Sequence, residues 1–473
     1  MTVVSPVFLA IGLLAVAAVY LLPARVPRDL ILLAASLGFV AAALDPASLA
    51  GLAAFVLAGF ALLRVVERRR RPGVLAAAVA AAVALFWLLG ENDVALGAAL
   101  GLPRPEPVVL LGLSYVMFRV VHLLVDVGQG ELAAPVGLRG YLGYLLFFPN
   151  FLAGPIQRYE DLAPQLATPS PPDRDGVCAG LARMLAGGFS TVVLSGLAFA
   201  VFRWAGEAAA LGGVAGGLAL GVATLAFSAY LYASFTGYMG MAIGLGRLLG
   251  IAIPENFDRP WLARNFLDFW ARWHITLSEW FKLYLFNPAT KEMLRAVDRP
   301  AAAPWLGAAG YFLTFFVMGI WHGTSLSFAV YGLLLGLGVS LNKAWQVWMV
   351  QRLGRRGYNT LSARRWYAVA ARTAALSWFA LALVLVWSDL ATVSASLASL
   401  GAAGAAAAVG LVVVVVGCGA ALGPLAAWLS SGLGRLTHSA GTGWLIAVAQ
   451  AGAIAYYLLV VRGVVPELIY QRF

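Results

Sequence analysis

The chain has 473 residues, 62% of them hydrophobic and only 11% charged. That composition excludes a soluble globular protein of this size, because so many long apolar runs belong against lipid. The formal charge of +11 does not argue for nucleic acid: the arginines sit in short loops between apolar segments, the pattern that marks the cytoplasmic face of a membrane protein.

Apolar segments are predicted near residues 5–22, 30–44, 49–65, 74–90 and 108–127. No Lys or Arg precedes the first, so it reads as a retained span rather than a cleaved leader. Arg25 and Arg28 fill the first loop, Asp45 the second, Arg64 and Arg68 to Arg71 the third, Glu91 and Asp93 the fourth. This alternation predicts an external N-terminus and cytoplasmic basic loops. From Gly137 the pattern breaks. The apolar stretch 141–152 is short, and Gly154-Pro155 cannot continue a helix. With Gln157, Arg158 and Glu160 at its end, it predicts a re-entrant element packed in protein or lining a cavity.

Residues 167–175 read as a surface loop, followed by spans near 178–203 and 213–233 and a Gly-rich segment at 234–251. Residues 264–286 are predicted as one amphipathic helix. Trp270, Trp273, His274, Leu277, Phe281 and Tyr284 share its aromatic face, and Asp268, Arg272, Thr276, Glu279 and Lys282 the other. Asn265 caps its start, with Asp268 near the reciprocal position, and Asn287-Pro288 ends it.

The run from Trp305 to Asn342 would be roughly 57 Å as one straight helix, against a hydrocarbon core of about 30 Å. It must therefore turn, and Gly323-Thr324-Ser325 is the predicted break, immediately after His322. Lys343, Arg352, Arg355, Arg356, Arg364 and Arg365 then make a basic, cytoplasmic loop. His322 lies about 30 Å of helix from that face, in the outer half of the bilayer. Further spans are predicted near 366–388, 400–422 and 443–461.

Four histidines are candidates for chemistry. His438 lies in a Gly/Ser-rich loop and reads as solvated. His122 stands four residues before Asp126, which permits a histidine–carboxylate pair. His274 and His322 each follow a tryptophan directly. A histidine in an apolar segment is costly without a partner or a task; the alternative is a buried ring satisfied by a backbone carbonyl. No nucleophile elbow, phosphate loop or His-Glu-x-x-His occurs, and no metal-ligand spacing. Cys178 and Cys418 are predicted to be packing residues rather than a disulfide. What remains is general acid–base work by histidine, such as taking the proton of a hydroxyl that attacks an acyl carbon.

Three stretches carry a family resemblance: Phe148–Gln165, around FFPNFLAGPIQRY, Asn256–Tyr284, with FWARWHITLSEWF, and Gly319–Gly332, with IWHGT. In this order they resemble the membrane-bound O-acyltransferases (MBOAT), in the bacterial branch that includes alginate O-acetyltransferases and teichoic-acid D-alanyl transfer proteins. Tyr115 to Asp126 and the ending Ile469–Phe473 add weaker support. The resemblance implies an all-α polytopic fold, a ring of transmembrane helices with re-entrant helices around a central tunnel. It treats residues 1–473 as one membrane domain, with peripheral spans in 1–107 and the core in 108–473. It implies that His322 is the catalytic histidine and His274 the second one. Trp321, Trp273, Arg158, Gln157 and Asn256 would line the tunnel or orient the donor. The resemblance implies no bound cofactor or metal, and an acyl thioester, acetyl-CoA or a carrier-protein conjugate, as the substrate on the cytoplasmic side.

The expected activity is transfer of an acyl group, acetyl first, to a hydroxyl of an exported polysaccharide or to an extracytoplasmic partner acyltransferase, in a bacterial inner membrane. D-alanyl transfer from a carrier protein is the alternative. Gly-Thr-Ser-Leu-Ser after His322 and Tyr331 lean toward it, whereas Ala-Gly-Pro-Ile-Gln-Arg-Tyr leans toward acetyl. A transporter or flippase would call for paired intramembrane charges and a repeated half, neither of which is evident. A purely structural subunit would leave His274 and His322 without a task.

Overall fold

Proline opens several of the apolar helices, where its missing N–H costs nothing. In the computed structural model, which describes residues 5–23, 25–89, 112–132, 134–297, 299–323, 325–437 and 440–461, helix α1 is Pro6–Leu21, α2 Arg28–Ala43, α3 Pro46–Arg68 and α4 Pro72–Leu89. Asp45, isolated in its loop, is the N-cap of α3. It accepts from the backbone of Ala47 (2.9 Å) and Ser48 (3.0 Å) and from the Ser48 hydroxyl. These bonds, the hydroxyl's first, hold its carboxyl below the ordinary carboxylate range. Eight helices among the described residues are long and apolar enough to cross a membrane. They leave much apolar surface outward: only 11% of the apolar window of α4 is buried. The protein is thus an all-α, polytopic membrane protein.

The chain divides into two compact units. The first comprises Met1–Phe189, Gly237–Glu255 and Glu467–Phe473. It contains α1–α4, α5 (Leu113–Gln129), α6 (Leu138–Leu146), α7 (Tyr159–Ala167) and α8 (Arg174–Phe189). As the break at Gly137 predicted, α6 is short. A single 3-10 turn, Phe148–Asn150, follows it, and the backbone stays non-helical to Arg158, with a cis peptide at Gly154-Pro155. Arg119 of α5 fastens this loop. Fully buried, it donates to the carbonyls of Tyr144 (3.2 Å), Leu145 (2.7 Å) and Asn150 (2.7 Å) and to the Asn150 side chain (2.6 Å). A buried guanidinium is tolerable when its N–H groups are spent in this way.

The Gly-rich segment after residue 233 corrects an expectation. It is the last part of a continuous helix, α10 (Gly213–Leu248). Within the first unit, Gly240 and Gly244 face Gly187 and Gly180 of α8. A Cβ on Gly187 would meet the Gly237 carbonyl and the Met241 nitrogen at 2.7 Å. Glycine here permits close helix contact rather than a loop, the usual role of small residues in membrane helices.

The second unit comprises Ser190–Thr236 and Asn256–Pro466. After a π-helical turn at Ser190–Leu194 come α9 (Ser195–Ala208), the start of α10, α11 (Phe266–Trp270), α12 (Ile275–Phe281), a π-helical stretch at Lys282–Phe286 and α13 (Asn287–Ala296). The expected single helix over 264–286 is therefore two short helices separated at 271–274, and Asn287-Pro288 opens the next helix instead of stopping the chain. Proline is acceptable there, within a first turn. The Asn265 cap is present, with Oδ1 accepting from Asp268 N at 3.0 Å. Burial favours the neutral acid of Asp268, but the backbone N–H and guanidinium of Arg264 outweigh it and hold the carboxyl below its ordinary value.

Helices α14 (Ala303–Trp321) and α15 (Leu326–Ser362) form the hairpin required by the length argument, with the chain turning at 322–325. Then follow α16 (Arg365–Ala382), α17 (Val384–Trp387), α18 (Leu390–Thr437, kinked at Gly401) and α19 (Ala440–Tyr456). Cys178 and Cys418 are exposed on apolar helices, not packed inside as expected. His438, Glu91, Asp93 and the 469–473 motif lie outside the described residues.

Candidate active site

In the second unit, His274 is buried and stands at the N-cap of α12 with φ 48° and ψ 53°. A left-handed conformation costs a non-glycine residue roughly 1–2 kcal/mol, so the surroundings must impose it. Asn256 does so. Fully buried, it accepts on Oδ1 from Thr276 N (2.9 Å) and the Thr276 hydroxyl (3.0 Å), and its own carbonyl accepts from Ile275 N (3.0 Å). A bridge pairs Phe257 with Trp273, and Asp258 N donates to Arg272 O at 3.0 Å. The residues on either side of His274 are thus clamped by 256–258.

Aromatic rings complete the wall. Phe235 meets the His274 ring edge-on at 4.8 Å between centroids. Trp273 stacks on Phe269 at 5.7 Å and touches Phe257 (5.1 Å) and Phe379 (5.1 Å). The result is a dry, stiff setting.

His322 is the residue after α14, and its N–H bonds to Gly319 O at 3.1 Å. Its ring is buried against Trp321 (4.6 Å), Tyr331 (5.7 Å) and Phe328 (6.4 Å). Close passage of α14 past α15 holds it there: a Cβ on Gly319 would lie 2.0 Å from Gly332 Cα. At the turn, Gly323 is buried while Ser325 and Leu326 are exposed. The His322 ring lies within electrostatic reach of His274. The structure thus brings together His274, His322, Trp273, Trp321 and Asn256, all of the second unit. Thr276, the residue through which Asn256 acts, belongs by sequence only to a polar helix face.

Gln157 and Arg158 belong to the first unit. Gln157 is buried, with Oε1 accepting from Asn150 Nδ2 (3.0 Å) and Nε2 donating to Ala252 O (3.0 Å). Together with Arg119 and Asn150 it braces the 147–158 loop. Asn150 was missed in the sequence, although a lone arginine in an apolar segment signals that such a partner exists. Arg158 is ion-paired to Asp126 (3.1 Å), Glu131 (3.0 Å) and Glu160 (2.6 Å). His122 Nε2 accepts from Tyr159 N at 3.0 Å. A ring nitrogen that accepts carries no proton, so its 3.4 Å approach to Asp126 is not a charged pair. The arrangement gives His122 a structural task, orienting the start of α7. Among the described residues no cluster of ligands could hold a metal ion.

Asn256→Ala is expected to leave two buried donors of Thr276 without their acceptor, costing about 1–3 kcal/mol, and to release His274 from its left-handed position. Thermal unfolding of the purified chain would show the first effect and an acyl-transfer assay the second. Wild-type behaviour in both would mean that Asn256 does not set the histidine.

An all-helical, multi-span chain, with buried histidines at a hairpin turn and at a forced helix start, is a polytopic membrane protein. The pattern of MBOAT, the membrane-bound O-acyltransferase family, matches residues 113–381, a range that includes both histidines. The chain belongs to that family. It is 29% identical over 285 residues to the teichoic acid D-alanyltransferase of Bacillus subtilis (strain 168), a match covering 57% of this chain and 68% of that protein. It is 31% identical over 245 residues to the probable alginate O-acetylase AlgI of Pseudomonas fluorescens, covering 50% and 47%. A teichoic acid D-alanyltransferase of Streptococcus thermophilus (strain ATCC BAA-250 / LMG 18311) is 31% identical over 241 residues, covering 50% and 57%. The match to the Pseudomonas relative spans less than half of that protein's length.

Proposed function

We propose that this protein is a membrane-embedded O-acyltransferase of the bacterial inner membrane. It takes an acyl group, acetyl in the first instance, from a thioester on the cytoplasmic side. It delivers that group to a hydroxyl of an exported polysaccharide or to an extracytoplasmic partner. The observation that carries this reading is the pair of buried histidines, His322 at the α14–α15 turn and His274 within electrostatic reach of it. In this reading the His322 imidazole accepts the proton of the attacking hydroxyl as its oxygen bonds to the acyl carbon. The carbon–sulfur bond then breaks, and the departing thiolate takes the proton, restoring the neutral ring. Burial of both rings among aromatic side chains favours transfer over hydrolysis, because water is kept from the donor. His274, held by Asn256, keeps the passage in shape, and Trp273 and Trp321 line it. Arg158 and Gln157 act on the donor only through the loop they stabilise.

D-alanyl transfer to a cell-envelope polymer is the second reading. The teichoic-acid relatives favour it, being as similar to this chain as the alginate ones. Mass spectrometry of envelope polymers from cells with and without the gene decides between the two. An ester that vanishes with the gene and carries acetyl supports the first reading; one that carries D-alanine, with its free amine, supports the second. Unchanged ester content would remove both.

A further inference from the structure

A cavity of about 910 Å³ opens between α15 from Gly338 onward, α16 as far as Trp378, and residues 264–266 at the start of α11. Its size falls in the range of small-ligand pockets, about 300–1,000 Å³. Leu341, which lines it, is 15 residues along α15 from the hairpin turn, about 22 Å of helix rise. Neither His322 nor His274 is among its lining residues. Its walls are aromatic: Trp345, Trp366, Trp378, Tyr358 and Tyr367. Trp345, Trp366 and Trp378 are exposed. Trp345 Nε1 donates to Tyr367 OH (2.8 Å) and Trp378 Nε1 to Leu334 O (2.9 Å), so the rings are held in place rather than loosely displayed. Fixed Trp and Tyr rings with outward faces are the mark of the membrane–water interface.

The charge around the cavity has one sign. No Asp or Glu occurs from Arg299 to Ser388. Arg355 and Arg356 lie three and two residues before the lining residue Tyr358, and Arg364 and Arg365 lie between the lining residues Ala363 and Trp366. Arg355, Arg356 and Arg364 are exposed, and no described acidic group pairs with them. Arg264, also in the lining, is matched by Asp268 at 3.0 Å. An aromatic-walled cavity between membrane helices, with exposed arginines one to three positions along the chain from its lining residues on the face that loop charge marks as cytoplasmic, fits a molecule with an apolar body and an anionic head.

We propose that this cavity is a binding site for a phospholipid of the surrounding bilayer with an acidic headgroup. The phosphate sits among Arg355, Arg356 and Arg364, and the glycerol and upper acyl carbons lie against Trp345, Trp366 and Trp378. The site is independent of acyl transfer, so its test stands apart from that reading.

The full-length protein is placed in nanodiscs of phosphatidylcholine alone or with phosphatidylglycerol. Its Tm is measured, and the lipid retained after detergent extraction is read by native mass spectrometry. Phosphatidylglycerol is expected to raise Tm by several degrees and to leave a one-to-one adduct. The triple variant Arg355→Gln/Arg356→Gln/Arg364→Gln is expected to lose both effects. Arg68→Gln/Arg69→Gln/Arg71→Gln, which removes equal charge from the other basic loop, is expected to keep them. Ala371→Trp, which fills the cavity, is expected to lose the adduct; the charge variants decide the matter if it does not fold. Equal Tm in the two bilayers would overturn the proposal. So would equal loss in both arginine triples, which is general surface attraction, or the same shift with inorganic phosphate or glycerophosphoglycerol, which is free-anion binding.

Discussion

His322→Ala is expected to lower O-acyl transfer by about 10²- to 10⁴-fold, the range typical of a lost general base, while the chain still accumulates in the membrane. The ring packs on Trp321, Phe328 and Tyr331, so its removal opens a small void at the hairpin turn. The helices on either side are held by contacts elsewhere, and the void falls short of unfolding them. Ester content of the polymer, set beside protein abundance in membrane fractions, separates chemistry from folding. Normal ester content in this variant would take the base assignment from His322. If only His274→Ala lost activity, the role would pass to that ring.

Gly319→Val is expected to damage folding more than any other single change in the hairpin. The added Cβ would fall 2.0 Å from Gly332 Cα and 2.5 Å from Gly332 N. Backbone cannot rotate out of the way as a side chain can, so α14 and α15 must part. Overpacking costs about 1–3 kcal/mol where side chains can adjust; here the cost exceeds that, and His322, three residues on, moves with the helix end. Gly307→Ala provides the comparison within α14. A Cβ there meets nothing within 4 Å, and the change is expected to be neutral or slightly stabilising. Thermal midpoints of the two variants in the same detergent would test this. A Gly319→Val protein that melts with wild type would contradict the close approach.

The membrane character and the hairpin turn could be read from the sequence because both follow from length against bilayer thickness, a constraint that leaves few solutions. Trp305 to Asn342 was too long to cross once, and Gly323 was the place to turn. The break before His274 could not be read in the same way. Helical periodicity runs unbroken through Trp270, Trp273 and Leu277, and what interrupts it is Asn256, acting from 20 residues away on Thr276. Gly240 and Gly244 misled for a related reason. Glycine lowers helix propensity locally, and only the facing glycines of α8 turn that cost into close packing. The apolar surroundings of Cys178 and Cys418 predict packing residues, yet in a membrane protein apolar surface also faces outward, and both are exposed. The two histidines were legible as costly; their proximity to each other was not, until the turn and the clamp were seen.

Arg119 has a consequence for the order in which the protein is built. The carbonyls of Tyr144, Leu145 and Asn150 and the Asn150 side chain, which accept from its guanidinium, come from residues 25 to 31 positions later in the chain. When α5 leaves the insertion machinery, those carbonyls have not yet followed it. An arginine at the middle of a span costs about 2.5–3.5 kcal/mol on insertion scales. The Arg119 guanidinium therefore gains these partners only after Tyr144, Leu145 and Asn150 have been synthesised. The first unit must wait for its own irregular loop before that helix can settle, which makes biogenesis of this region a concerted event rather than a helix-by-helix one.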